Sequence, residues 1–110
     1  KTTRLIKEKF TEIEIKTTFQ SRFGPQEWLK PYTDKTFESL PKEGVKNILV
    51  ICPGFASDCV ETLEEIKIQG KESFIQNGGK NFDLIPCLND DKNHIHLFKT
   101  LVDRYVVKIK

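Results

Sequence analysis

In the stretch CPGFASDCVETLEEIKIQ, Cys52 to Gln69, three carboxylates, Glu61, Glu64 and Glu65, follow an apolar run that ends in Pro53-Gly54. Carboxylates in such a place have two uses: they cap a helix, or they handle protons and a divalent ion. With Ser57 or Asp58 as N-cap, a cap at Asp58 puts Glu61 at N3, where reaching back to the cap amide contributes up to about 1 kcal/mol. That accounts for Glu61 and part of Glu64. It does not account for the i, i+4, i+8 series Glu61, Glu65, Gln69, which on a helix forms one narrow strip with Leu63 and Ile66 to either side. Two carboxylates four apart repel, and partial burial is expected to raise at least one pKa toward the range useful for proton transfer.

A helix carrying that strip has to be set down by a strand. The run NILVIC is continuously apolar and β-branched, as for a parallel strand covered on both faces. Upstream, TEIEIKTTF alternates Ile13, Ile15, Thr17 and Phe19 against Glu12, Glu14, Lys16 and Thr18, a period of two that predicts a strand with one buried face. FDLIPC reads as a third, shorter one. The predicted strands are Glu12 to Phe19, Lys46 to Cys52 and Asp83 to Pro86, parallel and adjacent in one sheet.

Helical patterns lie between them. Lys1 to Phe10 reads as the back half of an amphipathic helix. DKTFESLPKEG places Phe37 and Leu40 after an N-cap at Thr33 or Asp34, with Pro41 shortening the helix and Gly44 ending it. A long helix is predicted from about Asp58 to Gln76, stopping at Gly78-Gly79, and a final one from near Asp90 or Asp91. The alternation implies right-handed crossovers and an α/β fold, a parallel sheet flanked by helices in three layers. Ligands of such sheets bind beyond the carboxyl ends of the strands, here the loops after Phe19, Cys52 and Cys87.

The loop after Phe19, QSRFGPQEWLKPYTD, gathers Arg22, Phe23, Trp28 and Tyr32 between the turns forced by Gly24-Pro25 and Lys30-Pro31. It suits a planar or anionic ligand; the plainer alternative is a lid in which Phe23 and Trp28 fold back over the sheet edge. The loop after Cys52, PGFASD, carries Phe55 and matches neither GxGxxG nor GxxxxGK[ST], so a nucleotide is not supported.

Composition sets the outer bounds. At 110 residues and 37% hydrophobic content the chain has the length of one domain with a modest core. Its 18 basic and 16 acidic residues are interspersed, so nucleic acid is not implied as a partner. Cys52, Cys59 and Cys87 form no CxxC pair, which fits reduced thiols in a cytosol. The longest apolar stretch, Ile48 to Cys52, is far short of the roughly 18 residues a spanning helix needs. There is no methionine, and the chain reads as a piece of a longer protein.

The runs FQSRFGPQEWLKPYTD, PGFASDCVETLEEI and GGKNFDLIPCLND, in that order and over nearly the whole chain, resemble the C-terminal half of the ferrochelatase family, lyases that insert ferrous iron into a porphyrin in heme biosynthesis. The resemblance implies two similar Rossmann-like (chelatase-like) lobes, each with a four-stranded parallel sheet, and a porphyrin cleft between them. Residues 1–110 would be an incomplete C-terminal lobe whose partner is the N-terminal lobe of the same enzyme. Glu61 resembles the family's catalytic carboxylate, which removes pyrrole protons or guides the metal, and Glu65 the next member of an acidic metal or proton route. Gln69 departs from that line, where many relatives carry a carboxylate, and weakens the claim of a second divalent-ion site there. Gln20, Ser21, Arg22, Gly24, Pro25 and Trp28 match the segment lining the porphyrin cleft, and Phe55 an aromatic near the macrocycle.

The family's histidine, in a Ser-Ala-His-Ser type segment, has no counterpart among these residues. His94 and His96 read as surface or helix-start residues rather than ligands, and Cys52 and Cys87 as buried small hydrophobes. Cys59, two residues before Glu61, is close enough to the inferred site to be labile or to touch metal. No cofactor is expected in this chain: ferrous iron is a substrate, and the cysteine-bearing tail that holds an iron–sulfur cluster in some relatives is not among these residues. A cytoplasmic setting is expected from the unpaired thiols, with peripheral membrane contact left open. Two other readings stay open, a non-catalytic tetrapyrrole-binding or docking lobe and a chelatase for another metal or tetrapyrrole, as does protoporphyrin against coproporphyrin as substrate.

Overall fold

The computed structural model describes residues 1–21, 24–27 and 29–109. In chain order the elements are α1 (Thr2–Lys9), α2 (Thr33–Ser39), β1 (Asn47–Val50), α3 (Val60–Thr62), a π-helical segment (Leu63–Gly70), α4 (Lys71–Gln76), β2 (Asn81–Leu84) and α5 (Lys92–Ile109). A 3₁₀ turn, Leu40–Glu43, follows α2, so Pro41 does shorten that helix. The fold is α/β. β1 and β2 pair in parallel with Asn47 opposite Asn81 and Val50 opposite Leu84, and the crossover between them is the helical run from Val60 to Gln76.

The core lies on one face of this small sheet. Phe37 and Leu40, Ile66, Phe74, Cys52 and Phe82 are buried together. The Phe82 ring sits 5.2 Å from Phe37, edge to face, and 5.9 Å from Phe74. Ile48, Val50 and Leu84 turn toward this cluster, as alternation along a strand requires. The opposite face is open: Leu49 is 66% exposed and Ile51 half exposed. The expectation that NILVIC is covered on both faces is therefore corrected to one covered face among the described residues.

The predicted first strand is also corrected. Glu12 to Thr18 forms no ladder, and Phe19 makes only an isolated parallel bridge to Tyr32. A strand is stabilised by its neighbour's backbone groups, and the neighbour of β1 is β2. Ile13, the start of the alternating face, is accordingly 60% exposed. The third predicted strand begins earlier than expected, at Asn81, because the amides of Lys80 and Asn81 already bond the Lys46 carbonyl. The long helix ends where expected, before Gly78, whose φ of 105° belongs to glycine. The chain is elongated, 58 × 38 × 23 Å, with a radius of gyration of 16.9 Å. A compact chain of this length has about 13 Å.

α5 begins at a cap by Asp91, whose side chain accepts the Asn93 amide. His94, expected at the surface or helix start, is at the helix start but buried. Its Nδ1 lies 2.7 Å from the Asn89 carbonyl, which can only accept, so Nδ1 carries the proton. Beyond it Phe98, Val102 and Tyr105 are exposed. No helix among the described residues is long and apolar enough to cross a membrane.

Candidate functional site

The site is built outward from the loop between β1 and α3. Asp58 is its hub. The Asp58 amide donates to Asn89 Oδ1 at 2.8 Å, and Asn89 Nδ2 donates back to Asp58 Oδ2 at 2.8 Å. The Cys87 amide reaches the same Oδ2 at 3.2 Å, and the Thr62 hydroxyl donates to Asp58 Oδ1 at 2.9 Å. With so many donors the Asp58 carboxyl is held below the usual carboxylate range, chiefly by Asn89 and then by Thr62.

The helix cap is not the one expected from spacing. Asp58 faces the neighbouring loop, so Cys59 becomes the N-cap, and its amide donates to Oγ1 of Thr62 at N3. Glu61 therefore falls at N2, and its side chain does not reach back to a cap amide. Of the two carboxylates, Glu61 is shifted away from the proton-transfer range: hydrogen bonding from the Cys59 thiol, then from the Glu61 backbone amide, lowers its carboxyl.

From Leu63 to Gly70 the helix is π-helical, and the Lys71 amide bonds the Ile66 carbonyl five residues back. Such segments are rare and concentrate at functional sites. Two buried contacts frame this one. Ile66 enters the core, and Gly70 rides over Phe37 so closely that a Cβ there would lie 2.6 Å from the ring. The widened turn carries Glu65 toward the loop after Phe19. There the Ser21 amide donates to Glu65 Oε1 at 2.8 Å and its hydroxyl to Oε2 at 3.3 Å. Gln20 Nε2 donates to the Glu61 carbonyl at 2.8 Å. Ser21 holds a left-handed φ of 62°, an uncommon conformation for a residue with a side chain.

The result is a cleft of about 640 Å³ between α2 and the crossover helix. Phe37 and Ile66 form its apolar floor, Gln20 and Ser21 one wall, and Asp34, Glu38, Glu61, Glu64, Glu65 and Gln69 its polar lining. The structure thus brings together Glu61, Glu65, Gln20 and Ser21. Gly24 and Pro25 lie exposed outside the cleft lining, and Phe55 is packed against the core with its amide on the Cys52 carbonyl. Arg22 and Trp28, with Phe23, fall outside the described residues. Among the described residues no three His, Cys, Asp or Glu side chains converge to hold a metal ion, so the strip is an open acidic line rather than a closed cage.

Cys52 is buried and its thiol is pushed up to about 11 by burial first and neighbouring Cys87 second. Cys87, expected buried, is only partly so, and burial followed by its bond to Asp58 raises its thiol. Spacing gave no notice of the Asp58–Asn89 pair. Its one signal was Asn89 ahead of Asp90-Asp91, an asparagine where a left-handed turn, here φ 49°, precedes a helix.

A parallel α/β unit whose crossover helix carries a line of carboxylates along a cleft beside α2 has the architecture of part of a lobe of the doubly wound class. The chain belongs to the ferrochelatase family: that family's model matches residues 1–106. A ferrochelatase of Yersinia enterocolitica is 61% identical over 89 residues, 81% of this chain and 28% of that protein. One from Brucella ovis is 52% identical over 105 residues, 94% of this chain and 30% of that protein. The chain thus spans under a third of the length of these relatives. No solved structure matches it.

Proposed function

We propose that this chain is the carboxylate-bearing part of a ferrochelatase, a lyase-class enzyme that inserts ferrous iron into a porphyrin, and that Glu61 is the base. The observation that carries the reading is the cleft itself, which Glu61 and Glu65 line together with Gln20, Ser21 and the apolar Phe37 and Ile66, the Gln20–Ser21 loop being bonded directly to the helix that bears both carboxylates. Porphyrin metallation has to remove two N–H protons while a divalent ion sheds water. It therefore needs a base at the ring centre, weak oxygen ligands for delivery, and walls that hold a flat apolar disc.

The residues divide those tasks. As a carboxylate lining the cleft, Glu61 can accept a pyrrole proton; its lowered pKa keeps it ionised and makes it the weaker base for it. Glu65 supplies the next oxygen along the strip toward solvent, at present engaged by Ser21. Gln20 and Ser21, continuous with Arg22, Gly24, Pro25 and Trp28, form the porphyrin-side wall, and Phe55 stands at the strand end. Iron and porphyrin arrive as substrates, and the remaining wall is an N-terminal lobe of the same polypeptide.

In the full-length protein Glu61→Gln should abolish most metal insertion, about a hundredfold or more in kcat, while porphyrin binding followed by Soret absorbance stays nearly unchanged. Glu65→Gln should have a smaller effect. Near-normal turnover by Glu61→Gln would return Glu61 to a structural role at the helix start. By itself the 110-residue chain should show no turnover above the uncatalysed rate when mixed with ferrous iron and a porphyrin, since one lobe cannot close a two-lobed cleft.

A further inference from the structure

We infer that Asn89 is a positioning residue for Glu61, acting through Asp58 from a different loop of the fold; the inference rests on the reading of Glu61 as the base. Asn89 lies between β2 and α5, 31 residues from its partner. Its side chain uses both ends of the amide on one residue: the amide oxygen takes the Asp58 backbone N–H, and the amide nitrogen holds the Asp58 carboxylate, each at 2.8 Å. Its own backbone is fixed twice over, by its amide on the Ala56 carbonyl at 2.9 Å and by His94 on its carbonyl at 2.7 Å.

The arrangement leads in one direction. Asp58 passes the constraint to Thr62, which is fully buried, and Thr62 fixes the Cys59 cap through the Cys59 amide. Cys59 and Thr62 bracket Glu61 within one helical turn, so the rotation of the turn that aims Glu61 is set by Asn89. The same turn is also held by Gln20 Nε2 on the Glu61 carbonyl, and Asp58 by the Cys87 amide. The selectivity is chemical: Asn89 presents one acceptor to an N–H and one donor to a carboxylate. A leucine-sized filler could occupy the space, but only an amide matches both groups.

Asn89→Asp is the informative variant. It keeps the shape, keeps the acceptor for the Asp58 amide and tolerates the left-handed backbone, but it sets a carboxylate oxygen against Asp58 Oδ2. In the full-length protein kcat for metal insertion should fall about tenfold to a hundredfold with porphyrin KM within about twofold, because a misaimed base costs rate rather than binding. The double substitution Asp58→Asn with Asn89→Asp restores a donor opposite an acceptor between the two side chains but turns the new amide nitrogen toward the Cys87 N–H, so it should recover part of the lost kcat, the coupling being read as a double-mutant cycle. Far-UV circular dichroism below the melting temperature confirms that each variant is folded. In a Glu61→Gln background Asn89→Asp should add nothing. Normal kcat in Asn89→Asp, a change in KM alone, failure of the swap to recover, or an undiminished effect without Glu61 would each overturn the assignment. Glu61→Gln with normal turnover would instead remove the functional reading beneath it.

Discussion

Two stretches of this chain follow apolar, β-branched patterns of similar quality, and only one becomes a strand. Asn47–Val50 pairs with Asn81–Leu84, buries Ile48 and Val50 against the phenylalanine cluster, and hands the chain to a loop held by a network of hydrogen bonds around Asp58, Asn89 and Thr62. Thr11 to Thr18 alternates cleanly but has no ladder, and its apolar Ile13 faces water. Alternation specifies which face of a strand would be buried. Whether the strand exists depends on a neighbour, and none of the described residues provides one for this segment.

That contrast can be broken by truncating side chains in each region. Phe82→Ala removes a ring that touches both Phe37 and Phe74 and should cost about 3–5 kcal/mol, measured by denaturant unfolding. A loss under about 1 kcal/mol would mean that the core is not the organising centre described. Gly70→Ala tests the closest approach within the same region, where the new methyl would meet a Phe37 ring already wedged against Phe82. The expected cost is about 1–3 kcal/mol, with widening of the cleft visible as altered fluorescence of a bound porphyrin. Ile13→Ala should change stability by no more than about 0.5 kcal/mol in the arrangement seen here. A loss well above 1 kcal/mol in the full-length protein would show that this segment finds its ladder in residues beyond this chain, and the contrast would dissolve into one of context.

Much of this was legible in the sequence, for physical reasons that differ by element. The helix patterns were legible because a 3.6-residue period needs no distant partner, and the stops at Gly44 and Gly78 because positive φ favours glycine. The α/β class followed from NILVIC and FDLIPC alternating with helices. What could not be read depended on pairs remote in sequence. The π-helical widening at Leu63–Gly70 has no one-residue signature, and it places Glu65 under Ser21, 44 residues away. The lowered Glu61 carboxyl could not be read either, because its main donor, the Cys59 thiol, belongs to the residue at the cap position that spacing assigns to Asp58. The resemblance carried Glu61, Glu65, Gln20 and Ser21 to one place, and the structure puts those four around one cleft.

The Asp58–Asn89 clasp also bears on the order in which the chain folds. Closing a loop of 31 residues costs about 3 kcal/mol of chain entropy, more than a pair of hydrogen bonds returns by itself. The clasp therefore cannot lead; it closes only after β1 and β2 have paired and brought the two loops together. An interaction made after the transition state leaves the folding rate untouched and sets the rate of escape. Weakening the clasp should thus steepen the loss of native protein over hours at constant temperature while refolding from denaturant proceeds at its usual speed, which makes Asn89 a determinant of how long a folded molecule lasts.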